Sequence, residues 1–189
     1  MKSNLTITNW DRAYAQGKYD QEGAIPFVQD IIATIKERDL VDKLGFYPGC
    51  GNGRNFVPLF DAGLNLEGND ISPVAIEQLK TRRPKASATV GDFLTHKASQ
   101  QYAYVLSIQL FQHGNQEVVR QLFDKAYELL QPKGLFVLRV NSIHTQIVQE
   151  YDTTEHTPEG GFTIKYHSGQ KNGLEIHFYS AEEIHALTE

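Results

Sequence analysis

Apolar positions along the chain alternate between two periods. From Ala24 to Arg38, Ile25, Val28, Ile31, Ile32 and Ile35 recur at helical spacing, with Lys36 and Arg38 in the last turn, so an amphipathic helix is expected. Leu44 to Tyr47 is a short apolar run stopped by Pro48 and Gly49, and Asn55 to Ala62 then reads as a helix ending before Gly63. Leu64 to Asn69 reads as a second strand. Ser72-Pro73 follows as an N-cap with proline in the first helical position, opening a helix to about Arg82.

The same alternation continues with strands over Ala86 to Val90 and Ala103 to Leu110, the latter with the near-continuous apolar character of a strand covered on both faces, interrupted at Ser107 and Gln109. Glu117 to Leu130 carries Val118, Leu122, Ala126 and Leu129 at helical spacing. Gln131-Pro132-Lys133-Gly134 then reads as a stop before the strand Leu135 to Val140. Beyond Ser142 the pattern breaks. Residues 143–160 read as polar and irregular, Phe162 to Tyr166 and Leu174 to Phe178 as a β-hairpin, and Ser180-Ala181-Glu182-Glu183 as a capping box opening a last helix. The expected fold is α/β, a doubly wound and mostly parallel sheet in a single domain over 1–189. Its fifth strand, Leu135 to Leu138, is too apolar to lie open at an edge, and the hairpin folding back locally is favoured over pairing with a second copy.

A length of 189 residues, with 40% hydrophobic and 22% charged residues, matches one globular core. The net charge of −5 disfavours a nucleic-acid partner. The one basic cluster, Lys80-Thr81-Arg82-Arg83, is read as completing a helix dipole. A lone cysteine, Cys50, allows no internal disulfide and fits a reducing compartment, so the cytoplasm is expected. No apolar run approaches membrane-spanning length, so no membrane association is expected.

Chemistry concentrates after the first strand, at Gly49-Cys50-Gly51-Asn52-Gly53. A small-residue loop between a parallel strand and a helix lets a ligand lie against main-chain amides. A dinucleotide fingerprint needs a third glycine where Arg54 stands, and a phosphate-binding loop needs a Gly-Lys-Ser/Thr ending that does not follow Gly53. An acid about twenty residues on, Asp70, suits paired ribose hydroxyls, or else simple turn chemistry ahead of the Ser72 cap. The histidines show no metal-ligand spacing, and no metal site is expected.

These features resemble the class I S-adenosylmethionine-dependent methyltransferases over about residues 40 to 140. Gly49 to Gly53 with Arg54 and Asn55 is similar to the family's first motif, Gly68-Asn69-Asp70-Ile71-Ser72 to its second and Val90-Gly91-Asp92-Phe93 to its third. Leu129-Leu130-Gln131-Pro132-Lys133-Gly134 resembles the segment before its fifth strand. The resemblance implies a Rossmann-like sheet ordered 3-2-1-4-5, with the usual last two strands missing after the C-terminal hairpin.

It further implies S-adenosylmethionine as cofactor, held by Gly49, Cys50, Gly51, Gly53, Asn55, Asp70, Ile71, Asp92, Phe93 and Gln109. Asp92 would meet the adenine amino group with Phe93 beside the ring, or cap a helix while Phe93 joins the core. Trp10 and Tyr14 resemble the aromatic segment that folds over the methionine end, making residues 1–23 a lid, or they anchor the first helix. Tyr47 stands where the family carries an acid that helps to hold the methionine end, so it would hold the cofactor through its hydroxyl or a water, or the site would bind less tightly. His113 is the candidate base, or a capping histidine, and Arg139 and Asn141 are candidates for orienting the acceptor. Residues 143–179 are expected near the reaction centre. The implied activity is methyl transfer to a small molecule by a monomer or homodimer. The alternatives are a non-catalytic cofactor-binding or assembly subunit and an NAD-dependent oxidoreductase.

Overall fold

The structure is a computed structural model that describes residues 4–169 and 171–189. Its elements run α1 (Asn4–Ala15), α2 (Phe27–Glu37), β1 (Gly45–Pro48), α3 (Phe56–Asp61), β2 (Leu66–Asp70), α4 (Pro73–Arg82) and β3 (Ser87–Val90), then a 3-10 turn at Phe93–Thr95. They continue with β4 (Tyr102–Ile108), α5 (Gln116–Leu129), β5 (Leu130–Arg139), β6 (Tyr151–His156), β7 (Phe162–Tyr166), β8 (Glu175–Phe178) and α6 (Ala181–Thr188). Strands β1 to β5 form one sheet in the order β3-β2-β1-β4-β5, with β1 parallel to β2 and β4, and β2 parallel to β3. This is the Rossmann-like, doubly wound arrangement expected from the sequence.

The hydrophobic pattern accounts for the layering. Every residue of β1 and β4 is buried, as central strands covered on both faces must be, whereas edge strand β3 buries only Ala88. Helix α2 turns Val28, Ile31 and Ile35 inward, and α4 turns Ala75, Ile76 and Leu79. Phe46 on β1 stacks on His96, Tyr102 and Phe93 at centroid separations of 4.4, 4.8 and 6.2 Å. Each such aromatic removed from water contributes roughly 1.5–3 kcal/mol.

Two elements were not expected. The N-terminal segment is the helix α1, whose polar residues obscure its period in the sequence. Residues 143–160, read as irregular, contain β6, which pairs antiparallel with β7. The residues of β6 are exposed except for half-buried Glu155, so no hydrophobic alternation marks the strand. The hairpin β7–β8 is present, in the register Phe162–Phe178 to Lys165–Glu175. It does not extend the five-stranded sheet. It joins β6 in a separate three-stranded sheet ordered β6-β7-β8, because the expected local fold-back competes with a strand closer in sequence. Strand β5 also starts earlier than expected, at Leu130, and Lys133 takes a left-handed conformation inside it at φ 64°.

The chain divides into two compact units. The first comprises residues up to Ser107 with Glu128–Val137, and the second comprises Ile108–Tyr127 with Leu138–Glu189. Ile164, Tyr166, Ile176 and Phe178 form a core cluster within the second unit. Among the described residues no helix is long and apolar enough to cross a membrane.

Candidate active site

Strand β1 delivers the chain into the glycine turn, where Gly49, Gly51 and Gly53 take φ values of 69°, 56° and 90°. Only glycine adopts these angles without a steric cost. Space demands glycine as well. A β-carbon on Gly51 would lie 2.5 Å from the Tyr14 hydroxyl, and one on Gly53 would lie 2.5 Å from Leu79 Cδ1 of α4. The turn is registered against β2 by the Cys50 amide, which donates to the Asn69 carbonyl at 3.0 Å. It passes into α3 when the Val57 amide donates to the Gly53 carbonyl at 2.9 Å.

Asp70, at the end of β2, is buried and spans two elements. One carboxylate oxygen accepts the Gly51 amide at 2.9 Å, and the other accepts the Ser72 amide at 2.9 Å. It therefore does the local turn work and also faces the glycine turn. A carboxylate oxygen accepts more than one hydrogen bond, so these amides are compatible with further donors such as ribose hydroxyls. Ile71 beside it is half-buried. Ser72 caps α4 by accepting the Ala75 amide at 3.1 Å, and its hydroxyl donates to Asp11 of α1 at 2.5 Å.

Helix α1 is thus fastened to α4. The Tyr14 carbonyl accepts from the Gln78 side chain at 3.0 Å, and the buried Tyr14 ring tilts against Trp10 and Tyr19 at 6.0 and 6.2 Å. Burial raises the Tyr14 phenol well above its ordinary value, with the Asp70 charge adding to the shift, so the group stays protonated. Burial likewise raises Cys50 and Tyr47. Tyr47 is fully buried, hydrogen-bonds Asn55 and stacks on Phe56 at 6.2 Å, while Asn55 accepts the Ile25 amide at 3.1 Å.

Asp92 accepts the Leu94 amide at 3.2 Å and so caps the 3-10 turn, and Phe93 is 2% exposed in the core against Phe46. Three buried polar atoms lie at strand ends and in the turn without a partner: Asn52 Oδ1, Asn69 Oδ1 and Ser107 Oγ. Asn69 spends its amide nitrogen on the Gly91 carbonyl at 3.2 Å. Buried polar groups are almost always matched, so each of these atoms has capacity left for a polar partner. Asn69 lay within the second motif quoted above, without a role of its own, and Ser107 within the fourth strand. Asn52 lay within the quoted motif but read only as a spacer.

The remaining candidates lie in the second unit. Gln109 follows β4 in a left-handed conformation, φ 64°, exposed, with its amide donating to the Arg139 carbonyl at 2.7 Å. His113 is half-buried, bridges Ile176 through its backbone and donates its amide to the Leu110 carbonyl at 3.1 Å. Arg139 is exposed. The Asn141 amide donates to Gln112 Oε1 at 2.9 Å, and the Asn141 carbonyl accepts the Tyr179 amide at 3.0 Å. Gln112, 2% exposed, receives that bond in the core, a role that its place beside His113 in the sequence does not announce. Among the described residues no group of three or more His, Cys, Asp or Glu side chains is close enough to hold a metal ion.

Residues 48–134 match the family model described as "Methyltransferase domain". Over that stretch the chain is similar to methyltransferase domains. The matched stretch opens one residue before Gly49 and closes at Gly134, so it contains the glycine turn, Asp70 and Asp92. No curated protein sequence matches the chain. The methyltransferase fold recurs among solved structures. The CcbJ methyltransferase from Streptomyces caelestis is 17% identical at a TM-score of 0.70, covering 98% of this chain and 86% of its own. CalS10 from Micromonospora echinaspora, an amino pentose methyltransferase solved with S-adenosylmethionine bound, is 15% identical at a TM-score of 0.66, covering 99% and 89%. The 1,6-didemethyltoxoflavin-N1-methyltransferase from Burkholderia thailandensis, solved with S-adenosylhomocysteine, is 13% identical at a TM-score of 0.66, covering 97% and 74%.

Proposed function

We propose that this chain is a methyltransferase that moves the methyl group of S-adenosylmethionine to a small-molecule acceptor. The observation that carries the reading is the Gly51–Asp70 arrangement, a main-chain amide and a buried carboxylate on the open end of a parallel sheet. Ligands of such sheets bind outside the carboxyl ends of the strands, where this turn lies. The donor set fits the cofactor. Asp70 matches vicinal hydroxyls, Asp92 and the Gly91 loop sit at the next strand end, and the unmatched Asn69 and Ser107 atoms are available as polar partners. When bound, the cofactor supplies a sulfonium-activated methyl group.

The residues themselves then orient the ligand and exclude water. Gly49, Gly51 and Gly53 keep side chains off the binding face, while Trp10 and Tyr14 belong to the covering segment. His113 is assigned as the base that takes a proton from an acceptor oxygen, nitrogen or sulfur, and Arg139 and Asn141 as groups that orient the acceptor. We take residues 1–189 as one catalytic domain acting in the cytoplasm, as a monomer or homodimer, without nucleic-acid partners. CalS10, an amino pentose methyltransferase, and the 1,6-didemethyltoxoflavin-N1-methyltransferase, both similar in fold over almost the whole chain, support an acceptor of small-molecule size.

Titration calorimetry with S-adenosylhomocysteine tests the proposal, with binding expected on the micromolar scale. Asp70→Ala removes the acceptor of two backbone amides and of the ribose together. Affinity should fall by about 100-fold, which corresponds to roughly 2.7 kcal/mol. Binding of NADH without S-adenosylhomocysteine would overturn the reading. Turnover across an acceptor library separates an enzyme from a non-catalytic cofactor-binding subunit.

A further inference from the structure

The chain between α1 and α2 crosses the glycine turn as a strap held almost wholly by polar groups. Residues 17–19 are half-buried, whereas Asp20 to Ala24 are exposed. What holds the strap is a short set of bonds centred on Asn52. The Asn52 amide nitrogen donates to the Lys18 carbonyl at 3.3 Å and to Asp20 Oδ1 at 3.2 Å. The same Asp20 oxygen lies 2.8 Å from Arg82 Nη2 at the end of α4. One residue beyond the turn, Arg54 donates to the Gly23 carbonyl at 2.8 Å, pairs with Glu22 at 2.9 Å and lies 5.0 Å over the Tyr19 ring. Tyr19 itself is held in a left-handed conformation at φ 68°.

Asn52 is 1% exposed, and its Oδ1 has no partner. An asparagine buried with half of its amide unmatched is a poor choice for filling space, because an apolar residue would avoid the desolvation cost. Its place is explained if the amide nitrogen is needed to grip the strap. We propose that Asn52 is a positioning residue which, through Asp20 and Arg82, clasps residues 16–24 across the glycine turn and sets how long a nucleoside ligand stays bound there. This rests on the cofactor reading of the turn. Because Arg82 and Asp20 are both about one-third exposed, at 35% and 37% of their side chains, dissolved salt weakens the clasp and shortens ligand residence.

The test follows displacement of labelled S-adenosylhomocysteine by excess unlabelled ligand. Asn52→Ala should speed dissociation by about ten-fold and Arg82→Gln by about five-fold, with association changed less than about two-fold, as expected when a retaining contact is lost. Between 50 and 500 mM NaCl, chosen to span roughly a Debye length of 14 to 4 Å, the wild-type dissociation rate should rise, that of Arg82→Gln should stay flat, and Arg82→Lys should recover part of the salt response. A wild-type rate indifferent to salt, or Arg82→Gln dissociating at the wild-type rate, overturns the clasp. The clasp is also read without ligand, by the rate of tryptic cleavage after Lys18, which should be faster in Asn52→Ala and Arg82→Gln. Equal cleavage rates overturn it. Wild-type protein that binds no S-adenosylhomocysteine yet shows the cleavage difference would sink the cofactor reading and leave the clasp standing as a strap fastener.

Discussion

Replacing Gly51 by alanine separates two costs that coincide at the centre of the turn. The backbone at 51 has φ 56°, and a side chain there costs about 1–2 kcal/mol. The new β-carbon would also lie 2.5 Å from the Tyr14 hydroxyl oxygen, so α1 or the Tyr14 ring must shift, an overpacking cost of about 1–3 kcal/mol. The total of about 2–5 kcal/mol is a large share of a typical domain's stability of roughly 5–15 kcal/mol, yet it leaves a folded protein to measure. The steric part has a specific remedy. With Tyr14→Phe in place, the nearest ring atom is 3.3 Å from the β-carbon, a contact that a few tenths of an ångström relieve. The double variant should then carry only the backbone cost, and the two substitutions should couple favourably by about 1–3 kcal/mol. Urea unfolding of the four proteins, followed by far-UV circular dichroism, measures the cycle. Additivity within about 0.5 kcal/mol would refute the claim that Tyr14 caps Gly51.

Two further outcomes follow from buried titratable groups. Cys50, Tyr14 and Tyr47 are held neutral by burial, so the unfolded chain loses their protons at lower pH than the folded one. Stability is therefore full below the unfolded thiol value of about 8.5 and should fall above it, more steeply past about 10, at up to about 1.4 kcal/mol per pH unit for each group. Urea midpoints between pH 7 and 10.5 check this. Cys50→Ala should remove the earlier part of the fall, and a flat profile would show that these groups ionise freely in the native state. In the second unit, His177 lies between Thr163 at 2.8 Å and Glu183 at 3.0 Å, with both His177 and Glu183 buried. Glu183→Ala leaves that imidazole without its carboxylate and should cost about 3 kcal/mol or more in the same assay. A cost under about 0.5 kcal/mol would mean that the pair contributes nothing to folding.

The parallel sheet was legible because its strands obey a local rule. β1 and β4 are continuous apolar runs bounded by glycine, proline or polar residues, and helices α2, α4 and α5 show the 3.6-residue period. The elements that escaped lack that signature. β6 carries Asp152, Thr153, Thr154 and Glu155 in sequence and is specified by its pairing with β7, a tertiary contact with no imprint on hydropathy. α1 buries Ala13 and Tyr14, and its attachment runs through Asp11 to Ser72 and Gln78 to the Tyr14 carbonyl, side-chain bonds across sixty residues or more. The basic cluster shows the same limit. Arg82 and Arg83 fit a helix C-terminus, but their partners Asp20 and Asp61 can be known only after folding.

The site divides along the same line, between motifs that are contiguous and contacts that are not. Glycines at 49, 51 and 53 and an acid at 70 are readable because backbone conformation and strand-end position follow from the local chain. The meaning of Asp70 is not local. Its carboxylate accepts one amide from its own turn, at Ser72, and one from nineteen residues upstream, at Gly51. The turn chemistry is what these bonds show, and the ribose contact proposed for the same carboxylate would use an orientation that two main-chain donors already fix. That preorganisation matters for a binding site, since a carboxylate already locked by two main-chain donors loses little conformational freedom when hydroxyls approach. Asn52 presents the converse case. Within the motif it stands between two glycines with no local constraint on its side chain, yet in the fold it reaches thirty-two residues back to Asp20, and with Arg54 it ties the turn to the segment that crosses it.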